Sequence, residues 1–170
     1  MQNCKITHIL TCSYHFVVFS LQKQTPPENK QFANPLTYQW EQDLIDKTLI
    51  GSGRIAKAAI VGLTDKALRA WSPADFIPQN QSVEDLIDCF NGDTSGLIER
   101  CINLGGGTCM FMPGKLNPRS LYGTDGQGNG VCIYRTNACL LIIVYEGRAN
   151  SSAASTLGIE AADHMRDNGR

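Results

Sequence analysis

The chain has 170 residues, of which 42% are apolar and 18% charged, and a formal net charge of −1. That balance fits one domain with a single good core and excludes a chain dominated by disorder. It also excludes a protein drawn to nucleic acid or acidic lipid by its overall field, so any basic patch is local. Residues 1–37 differ from the remainder of the chain. Ile6 to Leu21 is moderately apolar, but His8, His15 and several hydroxyls break it, and it is too short and polar to span a bilayer. Lys5 alone precedes it and no small-x-small cleavage site comes after it, a poor signal peptide. Thr25 to Gln31 reads as a polar linker. The expectation is an extension over 1–37, disordered or loosely packed, ahead of a domain over 38–170.

From Tyr38 onward the pattern is regular. Trp40, Leu44, Ile45, Thr48 and Leu49 recur near helical spacing, and Gly51 and Gly53 stop that helix. Ile55–Leu63 is small and β-branched and predicts a strand; Thr64–Lys66 predicts a turn into a second strand that carries Trp71. Ser82-Val-Glu-Asp85 resembles a capping box opening a helix whose apolar face is Val83, Leu86, Ile87 and Phe90. Short strands are expected over Cys101–Leu104, Thr108–Met112 and Ser120–Tyr122. Val131–Thr136 and Cys139–Tyr145 then form a hairpin around Thr136-Asn137-Ala138. The second of these is almost continuously apolar, which places it at the sheet centre with both faces covered. A last helix spans Ser152–Asn168, with Ala154, Leu157, Ala161 and His164 on one stripe. Helix, meander of strands, terminal helix is an α+β layout.

Chemistry-bearing motifs are few. Gly105-Gly-Gly-Thr108 invites comparison with a phosphate-cradling loop, but no lysine follows it and the next residues read as a strand, so a tight turn between strands explains the glycines. Cys109 and His164 would make a thiol pair only if folding joined them, and a strand cysteine is by default a small buried thiol. The cysteines (Cys4, Cys12, Cys89, Cys101, Cys109, Cys132 and Cys139) are seven, an odd number, with no C-x-x-C pair and no histidine at zinc-finger spacing. They suit reduced thiols in a cytosolic protein, not a disulfide or metal framework. No catalytic constellation, metal site or cofactor is expected. The two tryptophans, Trp40 and Trp71, are by residue type either core packing or two halves of an aromatic ledge on neighbouring elements.

The ordered series Trp40…Leu49-Ile-Gly-Ser-Gly53, Ala58-Ala-Ile60, Ala70-Trp-Ser72, Leu104-Gly-Gly-Gly-Thr-Cys-Met110, Tyr122-Gly123, Gly130-Val-Cys-Ile-Tyr-Arg-Thr136, Ile142-Ile-Val-Tyr-Glu146 and Asp163-His-Met165 resembles profilin over residues 38–170. The resemblance implies a central antiparallel sheet, with the N- and C-terminal helices on one face and shorter helices on the other. It implies a cytoplasmic, cytoskeletal binding protein and no enzyme: one that binds monomeric actin, regulates its polymerisation, and takes proline-rich proteins such as formins on an aromatic platform between the terminal helices. A polyproline II segment is preformed and docks on aromatics that carry donors. Trp40, Trp71 and His164 match that platform, with Tyr38 beside Trp40. His164 reads equally as a solvent-facing helical histidine. The actin-facing positions are Lys115, Arg119, Tyr122, Tyr134, Arg135, Asn137, Arg148 and Glu160.

Departures from the family pattern are specific. Leu44 stands where relatives usually carry a tyrosine one turn after the tryptophan. The first helix is slightly longer before Gly51, and Arg170 stands where many members end in an aromatic. Thr124 and Asp125 replace basic residues after Tyr122-Gly123, which leaves only weak phosphoinositide binding. The second reading is a profilin-fold peptide module that no longer binds actin.

Overall fold

The computed structural model describes residues 35–96, 102–104, 108–111 and 119–170; the expectations for residues 1–34 lie outside these. Helix α1 spans Pro35–Asp43. Proline at the first helical position forfeits no hydrogen bond and arrives with a helical φ, so the helix opens ahead of Trp40. It then widens into a π-helical turn over Leu44–Leu49 and tightens into a 3-10 turn over Ile50–Ser52. Gly53, at φ 69°, ends it in the left-handed conformation that glycine adopts without strain. A π turn accommodates an additional residue within a helix. It also shifts the phase of the apolar stripe. Leu44, Ile45 and Leu49 are buried, whereas Thr48, which the spacing groups with them, is exposed.

Among the described residues seven strands follow: β1 (Lys57–Gly62), β2 (Leu68–Ser72), β3 (Ile102–Asn103), β4 (Thr108–Phe111), β5 (Ser120–Thr124), β6 (Gly130–Arg135) and β7 (Cys139–Tyr145). They form one antiparallel sheet in the order β2-β1-β7-β6-β5-β4-β3. The near-continuous apolar strand β7 lies inside it between β1 and β6, and only Val144 of its residues is partly exposed. Helices α2 (Asn80–Phe90) and α3 (Ser151–Asp167) flank the sheet, and a 3-10 turn over Arg148–Asn150 leads into α3.

Alternation along the strands divides the core in two. Ala58, Ile60, Cys132, Tyr134, Leu141 and Ile143 face one way and pack with Leu44, Ile45 and Leu49 and with Ala154, Ala161, Ala162 and Met165 of α3. Ala59, Val61, Val131, Ile133, Leu140 and Ile142 face the other way, onto Val83, Leu86 and Cys89 of α2. The terminal helices therefore share one face and α2 covers the other, as in the fold that the sequence implies.

Two local expectations are corrected. Helix α2 starts at Asn80, not Ser82: Gln79 is its extended preceding residue, just after Pro78, and Ser82 and Asp85 are buried inside the helix. Asp85 accepts a hydrogen bond from Gln81 Nε2 at 3.0 Å. On α3 the buried residues are Ala154, Gly158, Ala161, Ala162 and Met165, while His164 is exposed. The helical period thus places His164 at the margin of the stripe and not within it.

Candidate functional site

Between α1 and α3 a half-buried tryptophan and an exposed histidine meet. The rings of Trp40 and His164 stand 5.4 Å apart, centroid to centroid, tilted by 40°. That is within the range of attractive aromatic pairs. Leu157 and Ile50 pack against the same apolar cluster as Trp40.

Beside this pair lies a cluster of charge. Glu41, the residue after Trp40, is fully buried. Arg170 Nε lies 3.1 Å from its Oε1, and Arg69 Nη1 3.9 Å. Arg69 in turn pairs with Asp65 at 3.5 Å. Neither carboxylate oxygen of Glu41 has a well-aligned hydrogen bond among the described residues. Burial pushes the Glu41 carboxyl above the usual range; Arg170 and then Arg69 pull it back, and Asp65 adds to the rise. Arg69 reaches this cluster because β2 is bulged there. The register runs Ile60↔Ala70 and then Val61↔Leu68, leaving Arg69 without a partner in the ladder.

Trp71 is placed elsewhere. It pairs with Ala59 and packs on the α2 side of the sheet, whereas Trp40 packs on the terminal-helix side. Its indole N–H donates to Ala74 O at 3.2 Å. The single ledge of two tryptophans is therefore not formed: with a strand period of two, neighbouring Ala70 faces α3 and Trp71 must face away. What α1 does touch is the Trp71 backbone. Gln42 accepts from Trp71 N–H at 3.2 Å and donates to Trp71 O at 3.0 Å. Tyr38 lies on α1, but its side chain falls outside the described residues, as does Lys115.

Over the later strands, Arg119, Tyr122, Tyr134 and Arg135 come together through the β5–β6 pairing Ser120↔Tyr134 and the bond from Arg135 N–H to Arg119 O at 2.9 Å. Tyr122 is half-buried, with its ring edge-on to Tyr134 at 6.1 Å. Tyr134 is a core residue at 2% exposure, its hydroxyl donating to Ser155 O at 3.0 Å. Burial drives that phenol well above its usual range. Its expected place on an interface is corrected: β6 alternation turns it under α3. Arg135 Nη1 donates to Phe90 O and to Asn91 Oδ1, both at 3.1 Å, so it caps the end of α2. Asn137 is exposed at the hairpin tip, and Arg148 is exposed just past the opposite end of β7. Seven strand residues separate these ends by about 20 Å. Glu160 is exposed midway along α3.

The glycine run joins β3 to β4, which pair antiparallel as Ile102↔Cys109 and Asn103↔Thr108. A strand follows it, where a P-loop leads into a helix. Cys89, Cys132 and Cys139 are buried free thiols, the latter two pushed up to about 11 by burial.

A family model, Profilin, matches residues 38–170. The chain belongs to the profilin family. It is 29% identical over 127 residues to profilin-2 of Dictyostelium discoideum, covering 75% of this chain and 96% of that one. It is 32% identical over 126 residues to profilin-3 of Caenorhabditis elegans, covering 73% and 94%. Among solved structures, Acanthamoeba castellanii profilin IA superposes with a TM-score of 0.67 at 27% identity, covering 76% of this chain and 98% of that one. Mouse profilin IIa, solved in complex with a double repeat from the FH1 domain of mDia1, has a TM-score of 0.58 at 19% identity, covering 78% and 99%, a likeness of fold alone.

Sequence reasoning about this profilin missed Glu41, Arg69 and Gln42. A glutamate next to a helical tryptophan reads as solvated, and the β2 bulge that takes Arg69 out of the ladder leaves no mark in the sequence. Arg170 was legible as a departure, but its buried partner was not.

Proposed function

We propose that this profilin binds actin monomers, regulates their polymerisation, and takes proline-rich segments of assembly factors such as formins in the groove between α1 and α3. The observation that carries the peptide part is the Trp40–His164 pair, an indole and an imidazole presented between the terminal helices with polar edges available. Prolyl rings pack on such faces while the N–H groups meet their carbonyls. Tyr38 is assigned to the same peptide site, and Trp71 is left out of it. The actin surface is assigned to Lys115, Arg119, Tyr122, Arg135, Asn137, Arg148 and Glu160, a mixture of anchors suited to a protein interface. The protein acts as a cytoplasmic binding protein and not an enzyme. No described helix is long and apolar enough to cross a membrane. Phosphoinositide binding is weak, with Thr124 and Asp125 in place of basic residues.

One observation favours the second reading, a peptide module without actin binding. Tyr134 and Arg135, two of the expected anchors, spend their polar groups on internal bonds. Polymerisation of pyrene-labelled actin in the presence of the protein decides between them. A rise in the monomer pool supports actin binding, and an unchanged time course with intact proline-decamer binding supports the peptide module.

A further inference from the structure

A buried carboxylate without well-aligned hydrogen bonds is costly and calls for a physical account. Glu41 is such a group, and the two cations near it come from different parts of the chain: Arg69 from the bulge in β2, and Arg170 from the segment beyond α3. Arg170 is itself held at both backbone ends. Its N–H donates to Met165 O at 2.8 Å, and its carbonyl accepts from Asn137 N–H at 2.9 Å. His164 O accepts from the backbone and the side chain of Asn168 at 3.2 and 2.8 Å. The Arg170 backbone is therefore fixed relative to His164 and its guanidinium reaches Glu41 from there, while Glu41 adjoins Trp40 on α1. Gln42 anchors α1 to β2 but does nothing to set α1 against α3.

We infer that Glu41 is the positioning residue of the peptide groove: through Arg170, with Arg69 as second anchor, its buried carboxylate holds Trp40 against His164. The inference rests on the proposed peptide function and adds to it the group that sets the groove. Trp40, Glu41, Arg170, Met165 and His164 form a closed ring of contacts, joined across the two helices by the Glu41–Arg170 ion pair and the Trp40–His164 ring contact. The π turn belongs to the same device. Leu44–Leu49 carries the chain from Glu41 to the buried Leu49 with one residue more than an α turn would use.

The test uses the full chain, with two readouts on the variants Glu41→Gln, Arg170→Ala and Arg170→Lys. The first is the His164 ring-proton shift in NMR spectra, which senses the ring current of Trp40. The second is affinity for a proline decamer. Glu41→Gln and Arg170→Ala are expected to move the His164 resonance and weaken the decamer about fivefold to tenfold, the coupling typical of residues in one network. Arg170→Lys, which keeps the charge, is expected to retain most of both. A folded Glu41→Gln protein with wild-type resonance and affinity overturns the inference. So does weakened binding with an unmoved resonance, because Glu41 would then act on the ligand directly. If Glu41→Gln does not fold, the Arg170 pair carries the same comparison. A wild-type chain that ignores the decamer refutes the proposed peptide function, while the His164 shift still decides whether Glu41 positions the rings.

Discussion

Gly158 offers a sharp test of how α3 is seated. Alanine in place of a mid-helix glycine ordinarily stabilises by about 1 kcal/mol, and Gly158 lies within α3. A methyl group there would stand 2.8 Å from Tyr134 Cζ and 3.0 Å from Ile143 Cδ1, and closer still to Tyr134 Cε2. Neither neighbour can move aside cheaply. Tyr134 is buried and tethered by its hydroxyl to Ser155 O, one turn earlier on the same helix, and Ile143 is fully buried in β7. Overpacking of this kind costs about 1–3 kcal/mol, and displacing the ring sacrifices a hydrogen bond worth about 1 kcal/mol. The methyl gain is outweighed, and Gly158→Ala should destabilise the protein by about 1–3 kcal/mol. For a domain of this size that lowers Tm by about 3–10 °C. Urea denaturation followed by circular dichroism would show a lower midpoint with an unchanged slope. A midpoint equal to or above wild type would refute the described contact between Gly158 and the Tyr134 ring.

The remaining predictions concern the groove, the α2 cap and pH. Trp71→Phe should leave the fluorescence response to a proline decamer intact and Trp40→Phe should abolish it; the reverse pattern would put the ligand on the α2 side of the sheet. Arg135→Glu, the obvious variant for testing actin contact, removes two hydrogen bonds at the end of α2 and sets a carboxylate against the negative pole of that helix. It should cost about 1–3 kcal/mol in thermal or urea denaturation, so its actin affinity has meaning only where the protein remains folded. Because the folded-state pKa of Glu41 is raised above 4.5, the protonated group suits the fold better. Its contribution is fully present below that value and is lost as pH rises through the folded pKa. Asp43 and Asp125 are lowered, by the Lys47 side chain and by the Gln127 backbone N–H respectively, so theirs is present above 3.8 and is lost on acidification. Glu41→Gln should therefore flatten the stability profile just above pH 4.5 and leave the acid limb unchanged; an unchanged upper limb would show that the burial of Glu41 is not felt.

Elements with a strong period were legible from residues alone. Cys139–Tyr145 was bounded correctly because an unbroken apolar run between a hairpin signal and a glycine has few alternatives, and α3 was found to within a residue at each end. Failures occurred where phase changes inside an element. Counting by 3.6 through Leu44–Leu49 put Thr48 inside, since a π turn leaves no mark in composition. Counting by two along β2 could not assign Trp71 to a face without knowing that Arg69 bulges. Of the groove, Trp40 and His164 were readable as aromatic types on the two terminal helices. The Glu41 cluster was not, because a charged triad drawn from positions 41, 69 and 170 exists only after three elements meet.

The two bonds between Gln42 and the Trp71 peptide have a consequence for the protein in a crowded solution. Strand β2 stands first in the sheet order, where it would otherwise offer free amide and carbonyl groups to any extended chain that drifted by. A primary amide presents one donor and one acceptor at nearly the spacing of a neighbouring backbone, and Gln42 uses both. The first helix thus carries a one-residue counterfeit of an eighth strand. Open sheet margins are templates for self-association and fibril growth unless they are blunted, and here a single side chain guards the rim.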